Sequence, residues 1–307
     1  MDYEEFQLLS TAEVARLVRQ DGNRGCVFPI NGTRRWFLLE HMPSPGEDWL
    51  PAYMEVARRR HVELYQLLFD HGLDTLLTPI FGPDLLERGG PYAQVFVDGL
   101  AQLATHPDLQ AFYEAYEVRV RFYGDHHKFF GPTPFAYLSD LFDEATARTA
   151  ANDRHRLFYG VCAHDAAETL AELSVSYYTR HGRVPDKRTL VELYYGEYVE
   201  PVNLFIGFDK FCTFDMPLVA TGNQDLYFTV CPSPYLTEKQ LRAMLYDHLY
   251  SRRGGEPDYE TMPAEDWGFM HEFYRINRDR TLGLGAKRGQ IWYPLPAVQQ
   301  PPDPMQP

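Results

Sequence analysis

Pro29-Ile30-Asn31-Gly32-Thr33-Arg34-Arg35-Trp36 closes the first short apolar run of the chain, Cys26–Ile30, and leads into a helical pattern. A glycine here lets the backbone turn sharply and leaves amide groups open to a ligand. Thr33 adds a hydroxyl, and Arg34 and Arg35 add fixed charge in forks that match phosphate oxygens. An Arg-Arg pair alone reads as a turn with two solvated side chains. The whole string, between a strand and a helix, reads as a diphosphate-binding turn formed by Gly32, Thr33, Arg34 and Arg35.

Outward from this turn, short apolar runs alternate with longer helical patterns. The runs Cys26–Ile30, Thr75–Phe81, Val118–Tyr123, Arg156–Cys162, Leu204–Phe208 and Leu226–Val230 are apolar nearly throughout. That suits strands of a parallel sheet covered on both faces. Helices are predicted over Tyr53–His71, stopped by Gly72; over Tyr92–Ala104; over Asp108–Tyr116, with Pro107 at its start; over Asp165–His181; and over Thr237–Tyr250, with a Thr237/Gln240 capping box. The alternation predicts one α/β domain, residues 1–293, with a mostly parallel central sheet flanked by helices and ligands beyond the strands' carboxyl ends. The stretch 294–307 is Pro-rich and reads as a disordered tail.

Composition limits the function. The 307 residues carry 43 acidic and 29 basic side chains, a formal charge of −14, which argues against a nucleic-acid partner but not against a local cation cluster. Aromatic residues make up 15%. Cys26, Cys162, Cys212 and Cys231 show no metal-like spacing. An acidic start without an apolar core, and no long uncharged apolar run, predict a cytoplasmic protein with no transmembrane segment. The chain has no P-loop, GxSxG or HExxH motif, and no DDxxD or DxDD cluster. Gly283–Gly289 reads as a surface turn.

Asn31–Trp36 resembles the D-G-[NT]-x-R-W signature of the cis-prenyltransferases, the undecaprenyl diphosphate synthase family. Arg119-Val120-Arg121-Phe122-Tyr123-Gly124-Asp125 resembles that family's R-[VI]-x-[FV]-[IL]-G-D strand, and Asp225–Thr229 its E-L-Y-F-T. Tyr194–Val199, Phe205–Phe208 and Leu245–His248 are similar to the diterpene-synthase branch of that fold. The resemblance implies a cis-prenyltransferase-like domain with an apolar substrate cavity, and a homodimer.

Two departures narrow the expected chemistry. Aligned on Leu226–Phe228, the positions that hold isopentenyl diphosphate in chain-elongating relatives carry Ile206, Cys212 and Phe214. An apolar strand end does not compensate a second diphosphate, so one diphosphate substrate is expected. Asn31 replaces the family aspartate; it keeps one acceptor oxygen and loses the charge, which weakens any Mg²⁺ held there. Either the arginines and amides ionise the substrate, or Asn31 stands where an aspartate was exchanged.

The expected reaction is ionisation of a bicyclic allylic C20 diphosphate of halimadienyl or kolavenyl type. The leaving group is stabilised electrostatically and the cation is held among aromatic faces. Water then gives a tertiary diterpene alcohol. Resemblance points to Asn31, Tyr53 and Tyr92 as catalytic residues, the tyrosines positioning or deprotonating the nucleophile. Two other readings stay open: diterpenyl transfer to a nucleoside such as adenosine, and a non-catalytic partner of a cis-prenyltransferase. Arg58-Arg59-Arg60 reads as a solvated face. Asp125, His126 and His127 read as surroundings of a site or surface, and His164-Asp165 as a helix cap. Asp247 and His248 are adjacent on a helix and point apart, which argues against a relay.

Overall fold

The computed structural model describes the chain except residues 23, 45, 47, 82–90, 164, 214–215, 256, 296–298 and 300–307, and the side chains of 81, 91–93 and 95. Six strands form one parallel sheet: β1 (Gly25–Val27), β2 (Thr75–Phe81), β3 (Val118–Tyr123), β4 (His155–Val161), β5 (Leu204–Phe208) and β6 (Asp225–Thr229). Their order is β3-β4-β2-β1-β5-β6. From β1 the chain goes first to one side, to β2, and later to the other, to β5. The carboxyl end of β1 therefore lies where strand order reverses, which opens a crevice for ligands.

The apolar runs are explained by burial on both faces. Cys26 and Phe28, Leu76, Leu157 and Tyr159, and Leu204 and Ile206 belong to one core. Val27, Leu77, Phe158 and Phe205 belong to the other. Successive residues thus alternate between two cores rather than between core and water.

Helices cover both faces. The first core is packed by α1 (Tyr3–Leu8), α2 (Thr11–Asp21), α4 (Leu50–Asp70), α5 (Pro91–Thr105), α6 (Pro107–Ala115), α8 (Tyr137–Arg148) and α11 (Glu238–Tyr246). The second is packed by α10 (Lys187–Tyr195), with Leu170 and Leu173 of α9 (Ala166–His181) against it. Two short or terminal helices, α3 (Thr33–His41) and α7 (His126–Phe130), follow the ends of β1 and β3, and α12 (Ala264–Asn277) comes late in the chain. Among the described residues no helix is long and apolar enough to cross a membrane.

The differences from the sequence reading are local. β1 stops at Val27 rather than Ile30: Phe28 still donates to the Leu77 carbonyl, but Pro29 has no N–H to continue the ladder. β4 and β6 each begin one residue earlier than expected. The helix over Thr237–Tyr250 has its capping box at Thr237, yet α11 ends at Tyr246 and a π turn, Asp247–Ser251, follows. The Gly283–Gly289 segment is not a plain turn. It supplies β7 (Gly285–Arg288), paired antiparallel with β8 (Ile291–Pro294). Pro294 therefore closes a strand, and most of the expected disordered tail lies outside the described residues. Helices α1 and α2 were not predicted, although capping boxes announce both, Asp2/Glu5 and Ser10/Glu13.

Candidate functional site

The turn after β1 is held by a return visit of the chain. Following β6, Ser233 accepts the Asn31 N–H at 3.1 Å and donates its own N–H to the Asn31 carbonyl at 3.0 Å. Ser233 is 1% exposed. Gly32 caps α3 in the left-handed region, φ 76°. A Cβ there would stand 2.9 Å from Phe208 and 2.9 Å from Pro232. Glycine is thus required both by conformation and by close approach.

Among the described residues no side chain caps the start of α3, so its first amides stay available at the positive end of the helix. Thr33 and Arg34 line a cavity, and both arginines are exposed. Arg35 lies over the Phe208 ring, 5.3 Å from its centroid, and pairs with Asp209 at 3.5 Å. The four residues expected to bind diphosphate therefore share one helix start, where free amides and the helix dipole favour an anion.

Tyr53 is tied to this turn. Its hydroxyl shares a 2.8 Å hydrogen bond with the Thr33 hydroxyl. Its ring is fixed edge-on by Phe37 and Trp49, at centroid distances of 5.5 and 5.9 Å. Tyr92 is the second residue of α5, and its side chain lies outside the described residues.

From the turn a cavity of about 160 Å³ runs inward along α4, between that helix, β2 and α5. Ile30, Met54, Ala57, Ile80, Leu100 and Leu103 give it an apolar wall. The aromatic residues expected in the walls are, among the described residues, Tyr53, Tyr65 and Phe96, with the His61 ring. The other aromatics are largely core: Tyr113, Tyr123, Tyr159, Tyr195 and Phe142 are all essentially buried.

Sequence reasoning missed the cavity's inner residues. Arg58 is not a solvated side chain. It is 8% exposed, pairs with Glu55 and with Asp108 at 3.1 Å, and reaches Gln102 at 3.4 Å. Arg60 donates to the Pro234 and Leu236 carbonyls, so only Arg59 keeps the solvated role, paired with Glu55. A triple-arginine string on a long helix carries no local sign of which members face inward.

The remaining clusters are structural. His126 is buried and bonds Ser139 at 3.1 Å; burial pulls its pKa down to about 4. Asp125 accepts from Thr169, and exposed His127 faces Asp143. Asp165 caps α9, and His164 lies outside the described residues. Asp247 and His248 do not part as expected but join one cluster on β6: Tyr227 donates to Asp247, His248 pairs with Asp225, and Arg252 bridges the two carboxylates. Arg119, Arg121 and Arg156 surround Glu197. Gly124, φ 102°, passes so near Val161 that a Cβ would sit 2.3 Å from its carbonyl oxygen.

At the aligned isopentenyl positions, Ile206 is fully buried in the core and Cys212 is exposed; Phe214 is outside the described residues. Among the described residues no group of three His, Cys, Asp or Glu could hold a metal. Among the described residues the turn itself offers the Asn31 amide oxygen and Asp209, which Arg35 already engages. These donors do not make a metal cage.

No family model matches the chain. It is 42% identical to the tuberculosinyl adenosine transferase of Mycobacterium tuberculosis (strain CDC 1551 / Oshkosh), over 94% of this chain and 97% of the relative. It is 24% identical to the (+)-kolavelool synthase of Herpetosiphon aurantiacus, over 90% of this chain and 91% of that protein. The structure of lavandulyl diphosphate synthase from Lavandula x intermedia, in complex with dimethylallyl diphosphate, superposes with a TM-score of 0.56 at 15% identity. That match covers 75% of this chain and 97% of the other. The architecture is thus the cis-prenyltransferase-like α/β fold. Within it, the chain belongs to the family of tuberculosinyl adenosine transferase.

Proposed function

We propose that this protein ionises a bicyclic allylic C20 diphosphate and passes the diterpenyl cation to a nucleophile, adenosine first and water in its absence. The observation that carries this reading is that the α3 start, with Thr33 and Arg34, opens directly onto an apolar cavity. The relationship to a tuberculosinyl adenosine transferase supports adenosine as the acceptor.

In this reading the diphosphate lies on Gly32, the first amides of α3, Thr33, Arg34 and Arg35. The allylic C–O bond breaks and its electron pair leaves on the diphosphate, where fixed donors stabilise the growing charge. The hydrocarbon occupies the cavity along α4, which excludes water from the cation. A nitrogen lone pair of adenosine then forms the new bond to carbon. Asn31 orients the turn through its backbone and offers a neutral acceptor, so the arginines carry the ionisation.

Water as the acceptor is the second reading, favoured by the similarity to a kolavelool synthase. The Tyr53 hydroxyl, bonded to Thr33 beside the leaving group, would orient that water, and its proton would pass to the released diphosphate. Tyr92 is proposed for the same task from the opposite helix. Mg²⁺, if required, would be held chiefly by the diphosphate oxygens. Incubation with halimadienyl, kolavenyl and geranylgeranyl diphosphates, with and without adenosine, tests the reading by product mass. A diterpenyl adenosine is expected from a bicyclic substrate, and no diphosphate release from any of the three would overturn it.

A further inference from the structure

β1 has two neighbours in the sheet, β2 and β5. The apolar cavity lies on the β2 side of the Asn31–Arg35 turn, lined by Thr78, Pro79 and Ile80 of that strand. On the other side stands the carboxyl end of β5, which pairs in parallel with β1. Phe208 brings this end against the turn, since a Cβ on Gly32 would meet its ring at 2.9 Å. The next residue is Asp209.

Asp209 is held in an unfavourable conformation for a residue with a side chain. Its φ is 67°, in the left-handed region. Its N–H donates to the Thr229 carbonyl at 3.0 Å, which ties it to the end of β6. Its carboxylate is 18% exposed and meets Arg35 at 3.5 Å. A carboxylate here weakens the pull of Arg35 on an anion. Once diphosphate oxygens share Arg35, Asp209 faces a second anion across it. That arrangement is balanced when another group brings hydrogen-bond donors or positive charge to the carboxylate. A strained residue kept at the edge of a site points to function.

The adenosine proposed as acceptor brings both. Its 6-amino group is a donor, and attack through the ring nitrogen beside that group leaves a positive charge on the amidine so formed. We propose that Asp209 binds the amino group of the acceptor on the β5 side of the turn and compensates the charge that the acceptor acquires. The C–O electron pair has left with the diphosphate, and the ring-nitrogen lone pair forms the new bond to carbon. The positive charge passes from carbon to the amidine, and no proton has to move. Asp209 therefore selects the acceptor rather than driving ionisation. This rests on the diphosphate reading of the turn and on adenosine as acceptor.

The test reads the ratio of diterpenyl adenosine to diterpene alcohol formed from halimadienyl diphosphate in one reaction. Both products come from one cation, so the ratio does not depend on how fast that cation forms. Asp209→Asn keeps the shape and tolerates the left-handed φ. It should lower the ratio on the order of tenfold or more, as expected for loss of a hydrogen bond to a charged group. Purine riboside, which has the ring nitrogens but no amino group, reads the contact itself. The unaltered protein should prefer adenosine to it, and Asp209→Asn should shrink that preference by a similar factor. If the Asn variant fails to fold, Asp209→Gly, which suits the φ, should give the same result. An unchanged ratio and preference in a folded variant would overturn the role of Asp209 and leave the diphosphate reading intact. Equal loss of both products would assign Asp209 to ionisation and overturn it as well. Alcohol alone from the unaltered protein would overturn the acceptor and Asp209 together, and no diphosphate release at all would overturn the reading beneath them.

Discussion

Arg34 and Arg35 are neighbours in sequence but serve different walls of one site. Arg34 lines the cavity, whereas Arg35 rests on Phe208 and reaches Asp209. If Arg34 stabilises the leaving group, Arg34→Ala should lower turnover by roughly 10²–10³-fold with little change in thermal midpoint. Near-normal kcat/KM would remove it from the site. Tyr53→Phe should lower kcat about 10²-fold, because it removes the hydroxyl bonded to Thr33. An unchanged kcat would make Tyr53 a packing residue. The turn that carries the arginine pair, glycine cap and helix start together, was legible in the sequence because charge, glycine and threonine fall within four residues. His61, Tyr65 and the buried role of Arg58 were not, because their burial depends on α4 meeting β2, α5 and α6 across long sequence separations.

At the scale of elements, the site depends on the clamp between the β1–α3 turn and the segment after β6. Gly32→Ala would force a side chain to φ 76° against Phe208 and Pro232. The left-handed conformation alone costs about 1–2 kcal/mol, and the denaturation midpoint should fall accordingly. Ser233→Ala would orphan the Asn31 N–H, at a cost of about 1–3 kcal/mol measurable in the same way; an unaltered midpoint would deny the clamp any weight. The six strands were legible because a parallel sheet buried on both faces leaves unbroken apolar runs. Their ends were less so: Pro29 stops β1 by lacking a donor, which a hydrophobicity pattern does not register. The β7–β8 hairpin escaped because its strands are half exposed and interrupted by glycine, so neither alternation nor apolar content marks them.

Across the whole molecule, histidines desolvated by folding set a pH limit, with His71 and His155 also held below their ordinary value by burial. Burial depresses His61 and His126 from 6.5 to about 4, so the unfolded chain binds more protons than the folded one between these values. Stability should be complete above pH 6.5 and fall as the pH drops toward 4. His126→Gln should flatten that slope, and an unchanged slope would contradict the assignment. The high aromatic content, conspicuous in the composition, mostly fills the two cores, and among the described residues three of those rings border the cavity. Composition reports how many rings exist, but the fold decides which of them a ligand meets. In the proposed reaction one diphosphate, bound at the Asn31–Arg35 turn, is released as its hydrocarbon is transferred. Mass analysis of products from halimadienyl diphosphate with adenosine tests it most directly. A diterpenyl adenosine is expected, replaced by a diterpene alcohol when adenosine is left out; recovery of intact diphosphate under both conditions would rule the reaction out.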